Sequence, residues 1–370
     1  MKFTNLLKRV TSSGKFIPYI DGLRFFAIMA VVMSHFNTYY ADRVGDLPEI
    51  MKPIVSFIFG NSYSGVMLFF GISGFILGMP FINQYAYGGK KIQLGQYFKR
   101  RITRLEPPYI IVLTLLFVVN IFFADKGGFS ELLPHYLASL FYSHNMIYGG
   151  FPVLNPVFWS LEVEIQFYIV APLFALVFKL SKVGRRIFLI GFLVIWKFIM
   201  LRYNPFDFIS LYEYIHYFIA GFLAADLYLE YKDKISPKIV FDILCVTATV
   251  LMWNGIRPYG ADLLYIIVIL TLAGSTVYYK RFLSIPLVYI IGGMCYTIYM
   301  LHQRVMYLAL ERFMQGTLIF ENVYADFIVR LIFVLTVIGI VSALFFVFVE
   351  RPTMKREWWK YRNVKKLFFE

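Results

Sequence analysis

The chain has 370 residues, of which 59% are hydrophobic and only 16% charged, and its formal net charge at pH 7 is +14. A soluble domain carries roughly 25% charged and about 45–50% apolar residues, so a globule of this composition could not cover its apolar surface in water. The basic residues lie between apolar runs and form no basic stripe on a polar face, which excludes a nucleic-acid-binding protein. The composition therefore predicts a protein that has lipid as its solvent.

Apolar runs recur along the whole chain. A bilayer-spanning helix needs about 20 mostly apolar residues. The first run does not end in a small-residue cleavage site, so we expect a retained helix and not a signal peptide. With no sustained internal repeat and no long linker, we expect a single membrane domain over 1–370, with basic cytoplasmic tails at 1–16 and 350–370. The runs predict an all-α integral membrane fold of about ten transmembrane helices: 17–40, 54–82, 107–124, 158–178, 187–201, 209–229, 239–254, 261–278, 286–310 and 326–349.

The distribution of Lys and Arg predicts the orientation in the membrane. With the N-terminus in the cytoplasm, 26 of the 36 basic residues fall in inner segments, 6 in outer segments and 4 inside spans. This asymmetry is the one that the positive-inside rule expects, and it places both termini in the cytoplasm. The segment 133–149 is apolar enough to be considered as a further span, but that choice would move Lys182, Arg185 and Arg186 to the outside. We therefore predict that it is an interfacial or re-entrant segment on the outer face.

The first span carries two ionisable residues at membrane depth, where such residues are costly and usually face a cavity or pathway. Arg24 and His35 are eleven residues apart, which on a helix is about three turns, roughly 16 Å, and close to one face. The alternative is an arginine that snorkels to the interface and a structural histidine.

Two further patterns follow along the chain. The second span contains glycines that allow close helix approach. Ser73 in the same stretch would lie at mid-membrane, where its hydroxyl needs a hydrogen-bond partner. The alternative is that this motif serves helix packing only. Arg101 and Arg104 are spaced i,i+3 and share a helix face at the inner membrane surface, where their guanidinium groups could hold phosphate. The alternative is ordinary positive-inside charge.

Carboxylates open the fourth span at its outer end. Glu162 and Glu164 lie near the N-terminus of this helix, which lowers the cost of their charge, and the i,i+4 spacing puts Ser160, Glu164 and Tyr168 on one face. Their natural partners are the buried cations. The two cysteines, Cys245 and Cys295, make no disulfide framework and show no metal-ligand spacing, so we expect no metal site.

In this order, the segments resemble acyltransferase family 3, a family of bacterial multi-span membrane O-acyltransferases that act on cell-envelope or exported glycans. Matches run from residue 19 to 352. Two positions depart from the family pattern: Glu162 replaces a usual small residue and Arg304 a usual proline. Both bear on acceptor choice, and Arg304 also bears on the outer end of span nine. The family's motifs are met by D-G-L-R at Asp21 to Arg24 with His35 after it, F-F-x-I-S-G-F at 69–75, R-x-x-R at Arg101 and Arg104, W-S-L-x-x-E-x-x-[FY]-Y at 159–168, Y-x-L-H at 299–302 and E-R-P at 350–352.

The resemblance implies a multi-pass enzyme of the bacterial inner membrane that takes acetyl-CoA as acyl donor on the cytoplasmic side. The implied acceptor outside is a glycan or glycolipid, such as O-antigen, capsule, exopolysaccharide or peptidoglycan. Neither a metal nor a nucleic acid is implied. The implied donor-binding residues are Arg24, Arg101 and Arg104.

We predict His35, Glu164 and Ser73 as the catalytic residues, the roles of Glu164 and Ser73 resting on their placement in the sequence. His35 would act as general base on a sugar hydroxyl or would carry the acyl group covalently, since imidazole titrates near neutrality. Glu164 would orient that imidazole or bind the acceptor, and Ser73 would donate a hydrogen bond to the developing oxyanion. For His302, packing and catalysis are equally open.

Two other classes of protein remain as alternatives. A polysaccharide or lipid-linked sugar transporter or flippase, without covalent chemistry, would also use buried charges and glycine-rich spans. It gives no reason for R-x-x-R at the inner face, and it predicts no acylated product. A structural assembly protein would tolerate the loss of His35.

Overall fold

The computed structural model describes residues 6–10, 16–45, 47–59, 62–123, 128–256, 260–314, 318, 320–355 and 358. These residues form helices and turns and contain no strand, as expected for an all-α membrane protein. The helices are α1 (Pro18–Arg43), α2 (Lys52–Phe59), α3 (Ser62–Ala86), α4 (Leu94–Phe123), α5 (Phe129–Leu140), α6 (His144–Tyr148), α7 (Trp159–Phe174), α8 (Lys182–Arg202), α9 (Leu211–Tyr231), α10 (Ile239–Trp253), α11 (Ala261–Leu272), α12 (Tyr278–Leu283), α13 (Pro286–Gly293), α14 (Cys295–Phe313), α15 (Val323–Phe345) and α16 (Arg351–Thr353).

Among the described residues, five helical stretches are long and apolar enough to cross a membrane. They coincide with the first four predicted spans and the tenth, so a multi-pass membrane protein is supported, whereas the count of ten and the cytoplasmic termini stay predictions. Most of the predicted tails, at 1–16 and 350–370, lies outside the described residues. The five stretches are Pro18–Arg43, Tyr63–Ala86, Leu94–Phe122, Pro156–Lys179 and Val323–Thr353.

Helices α8 and α9 correspond to the fifth and sixth predicted spans and have 21 residues each. Their charged residues pair with one another: Arg185 and Arg186 both donate to Asp226, and Arg186 also binds Glu230. The rest of α8 presents a stripe of apolar residues to the outside at helical spacing, as a lipid-facing helix should. Each member of this stripe is more than half exposed: Val183, Ile187, Ile190, Val194 and Phe198.

Two predicted segments differ in detail from the helices that form. The ninth predicted span, 286–310, is broken at Met294, where α13 ends and α14 begins. The Met294 N–H turns back to the carbonyls of Ile290 and Ile291, which ends α13. The segment 133–149, predicted to lie on the outer face, contains most of α5, which has 12 residues, and all of α6, which has 5, and both helices are shorter than a span requires.

The chain divides into two compact units. Unit 1 comprises the described residues within Met1–Ser62, Lys99–Val112 and Ser284–Glu370, and unit 2 those within Tyr63–Phe98 and Leu113–Leu283. In unit 1, α1 packs against α13 and α14, and α14 packs against α15. The single domain predicted over the whole chain stays a prediction.

Helix α9 is the core of unit 2, and α7, α8 and α11 pack against it. Every residue from Tyr214 to Asp226 is buried. Glycines set the approach of α3 to α9, because a Cβ on Gly74 would lie 2.1 Å from the Phe218 carbonyl oxygen and one on Gly221 would lie 2.2 Å from the Gly71 oxygen. The glycines of the second span therefore serve close helix packing, as their spacing predicted.

Candidate active site

The start of α1 carries a buried cluster of opposite charges in unit 1. Asp21 and Arg24 are spaced i,i+3, so the helix places their side chains together, and the Arg24 guanidinium donates to Asp21 Oδ1. Arg9 approaches the same oxygen from the segment before the helix, with its Nη1 at 3.1 Å. Only 4% of the Asp21 side chain is exposed. One enclosed carboxylate therefore holds two guanidinium groups.

Arg104 of α4 adds a third cation to this cluster, which we call the arginine cluster (Arg9, Arg24 and Arg104). Burial, followed by the charges of Arg104 and Arg24, lowers the pKa of Arg9 to about 9. The attraction of Asp21 is smaller than either repulsion. Arg101, one turn earlier on α4, is half-buried. Three guanidinium groups therefore share this region with the buried carboxylates of Asp21 and Glu350.

The unit 1 part of α4 is held in place by hydrogen bonds to its backbone. Tyr296 of α14 donates to the Leu105 carbonyl at 3.0 Å, and the Thr353 hydroxyl donates to the Arg104 carbonyl at 3.2 Å. The motif E-R-P contributes Glu350, whose carboxylate accepts both the Thr297 N–H and, at 2.5 Å, the Thr297 hydroxyl. These contacts fix the backbone from which Arg104 projects.

The arginine cluster fits the phosphate groups of the predicted donor. The Nε atoms of Arg9 and Arg104 are buried and have no hydrogen-bond partner among the described residues. Guanidinium groups match phosphate oxygens in pairs, and hydrogen bonds between ionised groups are stronger than those between neutral ones. The unused N–H donors thus suit an anion with several oxygen acceptors.

His35 lies on α1, about three turns after Arg24, and His302 of α14 lies beside it in unit 1. Their ring centroids are 5.3 Å apart. His302 is fully buried, and its Nδ1 donates to the Tyr299 carbonyl at 2.8 Å and to the Ile298 carbonyl at 3.1 Å. Because a carbonyl oxygen can only accept, Nδ1 carries the hydrogen and Nε2 is the acceptor. That Nε2 has no partner within the described residues.

In unit 2, Glu164 accepts two hydroxyl groups on the same oxygen. Ser73 Oγ of α3 donates to Oε1 at 2.5 Å, and the Tyr168 hydroxyl of α7 donates to it as well. The i,i+4 spacing on α7 had placed Glu164 and Tyr168 on one face. Tyr97 donates to the Tyr168 carbonyl at 3.1 Å and supports this part of the helix. The hydroxyl of Ser73 is therefore committed to a carboxylate.

Glu162, one of the two residues that depart from the family pattern, is fully buried. Its Oε2 accepts the Asn145 N–H at 2.9 Å and so ties α7 to α6. In the same segment, His135 Nδ1 and His144 Nε2 are 2.9 Å apart. Glu162 thus anchors the short helices of the predicted outer segment.

The predicted site residues fall into three groups. Arg24 and Arg104, with Arg101 one turn before Arg104 on α4, form one group and His35 a second, both in unit 1. Ser73 and Glu164 form the third in unit 2, so the orientation of His35 by Glu164 stays a hypothesis. Within the described residues, no group of three or more His, Cys, Asp and Glu side chains is placed to hold a metal ion.

Sequence reasoning missed Arg9 as a member of the arginine cluster. Its signal was a Lys-Arg pair ahead of the first span, which has the same appearance as ordinary positive-inside charge. The contact between His35 and His302 was missed as well, since the two residues lie on helices far apart in the chain.

Five candidate membrane spans within the described residues, and the mainly apolar composition, support a multi-pass membrane protein. The family model of an acyltransferase domain matches residues 17–352. The chain therefore belongs to this family, acyltransferase family 3.

Curated relatives of the chain are O-acetyltransferases by name. It is 24% identical over 340 residues to the O-acetyltransferase OatA of Staphylococcus aureus, covering 82% of this chain and 53% of that protein. It is 31% identical over 183 residues to the peptidoglycan O-acetyltransferase OatA of Listeria monocytogenes, covering 46% and 26% respectively. The putative peptidoglycan O-acetyltransferase YrhL of Bacillus subtilis is 27% identical over 212 residues, covering 53% and 30%.

The chain spans about half the length, or less, of these curated relatives. No solved structure matches it.

Proposed function

We propose that this chain is a membrane O-acetyltransferase that transfers an acetyl group from acetyl-CoA at the cytoplasmic face to a hydroxyl of an extracytoplasmic glycan of the peptidoglycan type. Family membership and the names of the curated relatives support the reaction class. The observation that carries the proposal is the layout of α1, which holds Asp21 and Arg24 of a buried cationic site at its start and His35 about three turns later. A phosphate-binding site and a general base are thus built on one rigid element.

The arginine cluster would bind the phosphate groups of the donor, and acetyl-CoA would supply the acetyl group as an activated thioester. Arg104 offers a buried N–H donor, Arg24 adds a guanidinium group bound to Asp21, and Arg101 extends the basic surface on α4. The helix rise between Arg24 and His35, about 16 Å, is comparable to the length of an extended pantetheine arm. The phosphate end of the donor would therefore bind near the start of α1, and its thioester end would lie near His35.

His35 is the proposed general base. It accepts the proton of the attacking hydroxyl as the new C–O bond forms, and as imidazolium it returns the proton to the departing thiolate as the C–S bond breaks. We propose that His302 supports this role, because its ring packs beside that of His35 and backbone carbonyls hold its Nδ1 in place.

Glu164 is proposed to bind the acceptor. It already accepts hydrogen bonds from Ser73 and Tyr168, and a sugar hydroxyl makes the same kind of contact. This favours acceptor binding over orientation of His35. For Ser73 to donate to an oxyanion, its hydroxyl must first leave Glu164, so the oxyanion role requires a rearrangement when substrate binds.

The test is a glycan-acetylation assay in cells that express the wild type, His35→Ala, Arg101→Ala and the control Arg43→Ala at matched membrane levels. Arg43 lies at the far end of α1 with more than half of its side chain exposed. Base-labile acetate is quantified in isolated peptidoglycan and in the other envelope fractions. We expect acetate in the peptidoglycan fraction for the wild type and the control, and its loss in the other two variants.

Each other outcome has a definite meaning. Full acetylation by His35→Ala would remove His35 as the base, and full acetylation by Arg101→Ala would remove Arg101 from donor binding. Acetate in another glycan fraction would keep the reaction and change the acceptor. If the wild type acetylates no envelope fraction, the enzyme proposal fails and transport without covalent chemistry takes its place.

A further inference from the structure

Arg9 lies outside the region that matches the family and yet belongs to the arginine cluster. The match begins at residue 17, whereas Arg9 precedes α1. Its backbone and Cβ pack against α13, where a Cβ added to Gly293 would lie 3.5 Å from the Arg9 Cβ. Lys8 Nζ is 5.8 Å from the centre of the Tyr289 ring, on the same helix. Arg9 is therefore positioned by packing and not only by its charge.

Arg9 is enclosed and has a hydrogen-bond donor that no described residue satisfies. Its side chain is only 13% exposed, and the hydrogen bond to Asp21 uses Nη1 and leaves Nε without a partner among the described residues. Arg104 has an orphaned Nε as well. Buried polar groups are normally satisfied, and each exception in a structure calls for an explanation.

Electrostatics point in the same direction. The charges of Arg104 and Arg24 each outweigh the attraction of Asp21 on Arg9, and burial opposes its charge further. An enclosed group of cations that repel one another is stabilised when a multivalent anion binds between them. The carboxylates of Asp21 and Glu350 offset part of this positive charge, but three guanidinium groups still outnumber two carboxylates, and a phosphate group would supply further acceptor oxygens and negative charge.

We propose that Arg9 is a third phosphate-binding residue for the donor and, with Arg24 and Arg104, holds a phosphate group of coenzyme A. This inference rests on the proposed function, because it assigns Arg9 to the donor of that reaction. The headgroup of an anionic lipid carries the same chemistry, so the experiment must separate these two sources of phosphate.

The first measurement is arginine footprinting of the wild-type chain in nanodiscs of neutral phosphatidylcholine. Phenylglyoxal modifies accessible guanidinium groups, and mass spectrometry gives the rate at each arginine with and without coenzyme A. We expect coenzyme A to slow modification of Arg9, Arg24 and Arg104 by at least about fivefold. Arg43, whose guanidinium pairs with Glu311 on the exposed surface at 3.6 Å, is the internal control and should not change.

The second measurement is the affinity for coenzyme A of Arg9→Gln, Arg9→Lys and the control Arg43→Gln. Arg9→Gln should weaken binding at least about tenfold, and Arg43→Gln should leave it within about twofold. Arg9→Lys should fall between them, since it keeps the charge and loses the paired donors. If Arg9→Gln does not fold, the wild-type footprint decides the question by itself.

The outcomes separate the inference from the function on which it rests. If coenzyme A protects Arg24 and Arg104 but not Arg9, the role of Arg9 is wrong and the proposed donor stands. If coenzyme A protects no arginine and does not bind, the proposed donor is itself wrong. If discs that contain phosphatidylglycerol protect Arg9 and coenzyme A adds nothing, the site binds a lipid headgroup and the inference is overturned.

Discussion

Gly292 of α13 offers the sharpest test of the packing in unit 1. A Cβ added to it would lie 1.7 Å from the carbonyl oxygen of Asp21 and 2.7 Å from the backbone nitrogen of Phe25, both on α1. Real Cβ contacts essentially never fall below 3.0 Å, and backbone atoms cannot rotate away. Gly292→Ala must therefore push α13 away from α1 at the turn that carries the arginine cluster.

The expected cost follows from this geometry. Inserting a methyl group into a tightly packed site costs about 1–3 kcal/mol, and occasionally more. Here the obstruction is backbone, so we expect the upper end of that range, about 3 kcal/mol. The better helix propensity of Ala returns at most about 1 kcal/mol. Because Asp21 holds Arg9 and Arg24, the same displacement should also weaken the binding of coenzyme A.

The assay is thermal unfolding of the detergent-solubilised protein, combined with the affinity for coenzyme A. Gly339→Ala on α15 is the matched control, since no heavy atom of the described residues lies within 4 Å of its added Cβ. The control should be neutral or slightly stabilised, whereas Gly292→Ala should unfold at a clearly lower temperature. Equal unfolding temperatures and equal affinities for the two variants would refute the close approach of α13 to α1.

Three further predictions concern other sites. Tyr168→Phe removes one of the two hydroxyl groups bound by Glu164 and should destabilise unit 2 by about 1.5–3 kcal/mol. Chemical unfolding measures this difference, and an unchanged stability would mean that the hydrogen bond is not formed. Arg330→Met leaves the buried Asp326 carboxylate without the guanidinium bonded to it at 2.7 Å and should lower the free energy of unfolding by about 3–5 kcal/mol. The double variant Arg330→Met with Asp326→Leu should recover much of that loss, and a double variant no more stable than the single one would contradict the prediction. Burial, followed by the charge of His135, lowers the pKa of His144 below its ordinary value of 6.5, so the unfolded segment binds the proton more readily than the folded one. The folded segment should therefore lose stability as the pH falls below 6.5. Amide exchange in α5 and α6, corrected for the intrinsic rate, should accelerate when the pH is lowered from 7.5 to 5.5, and equal protection at the two pH values would refute this prediction.

The sequence by itself predicted the features that depend on neighbouring residues. The lengths of the apolar runs predicted the five membrane-spanning stretches, because span length is set by the bilayer. Helical spacing predicted that Glu164 and Tyr168 share a face, since residues three or four apart lie on the same side of a helix. The ordered motifs predicted the family to which the chain belongs.

Only the tertiary structure decided which distant residues meet. Arg9 enters the arginine cluster through its packing on α13, His302 reaches His35 from another helix, and the ninth predicted span breaks at Met294. None of these follows from a local pattern. The first two depend on how closely elements far apart in the chain approach, and that distance is set by the side chains, above all the glycines, at their contacts.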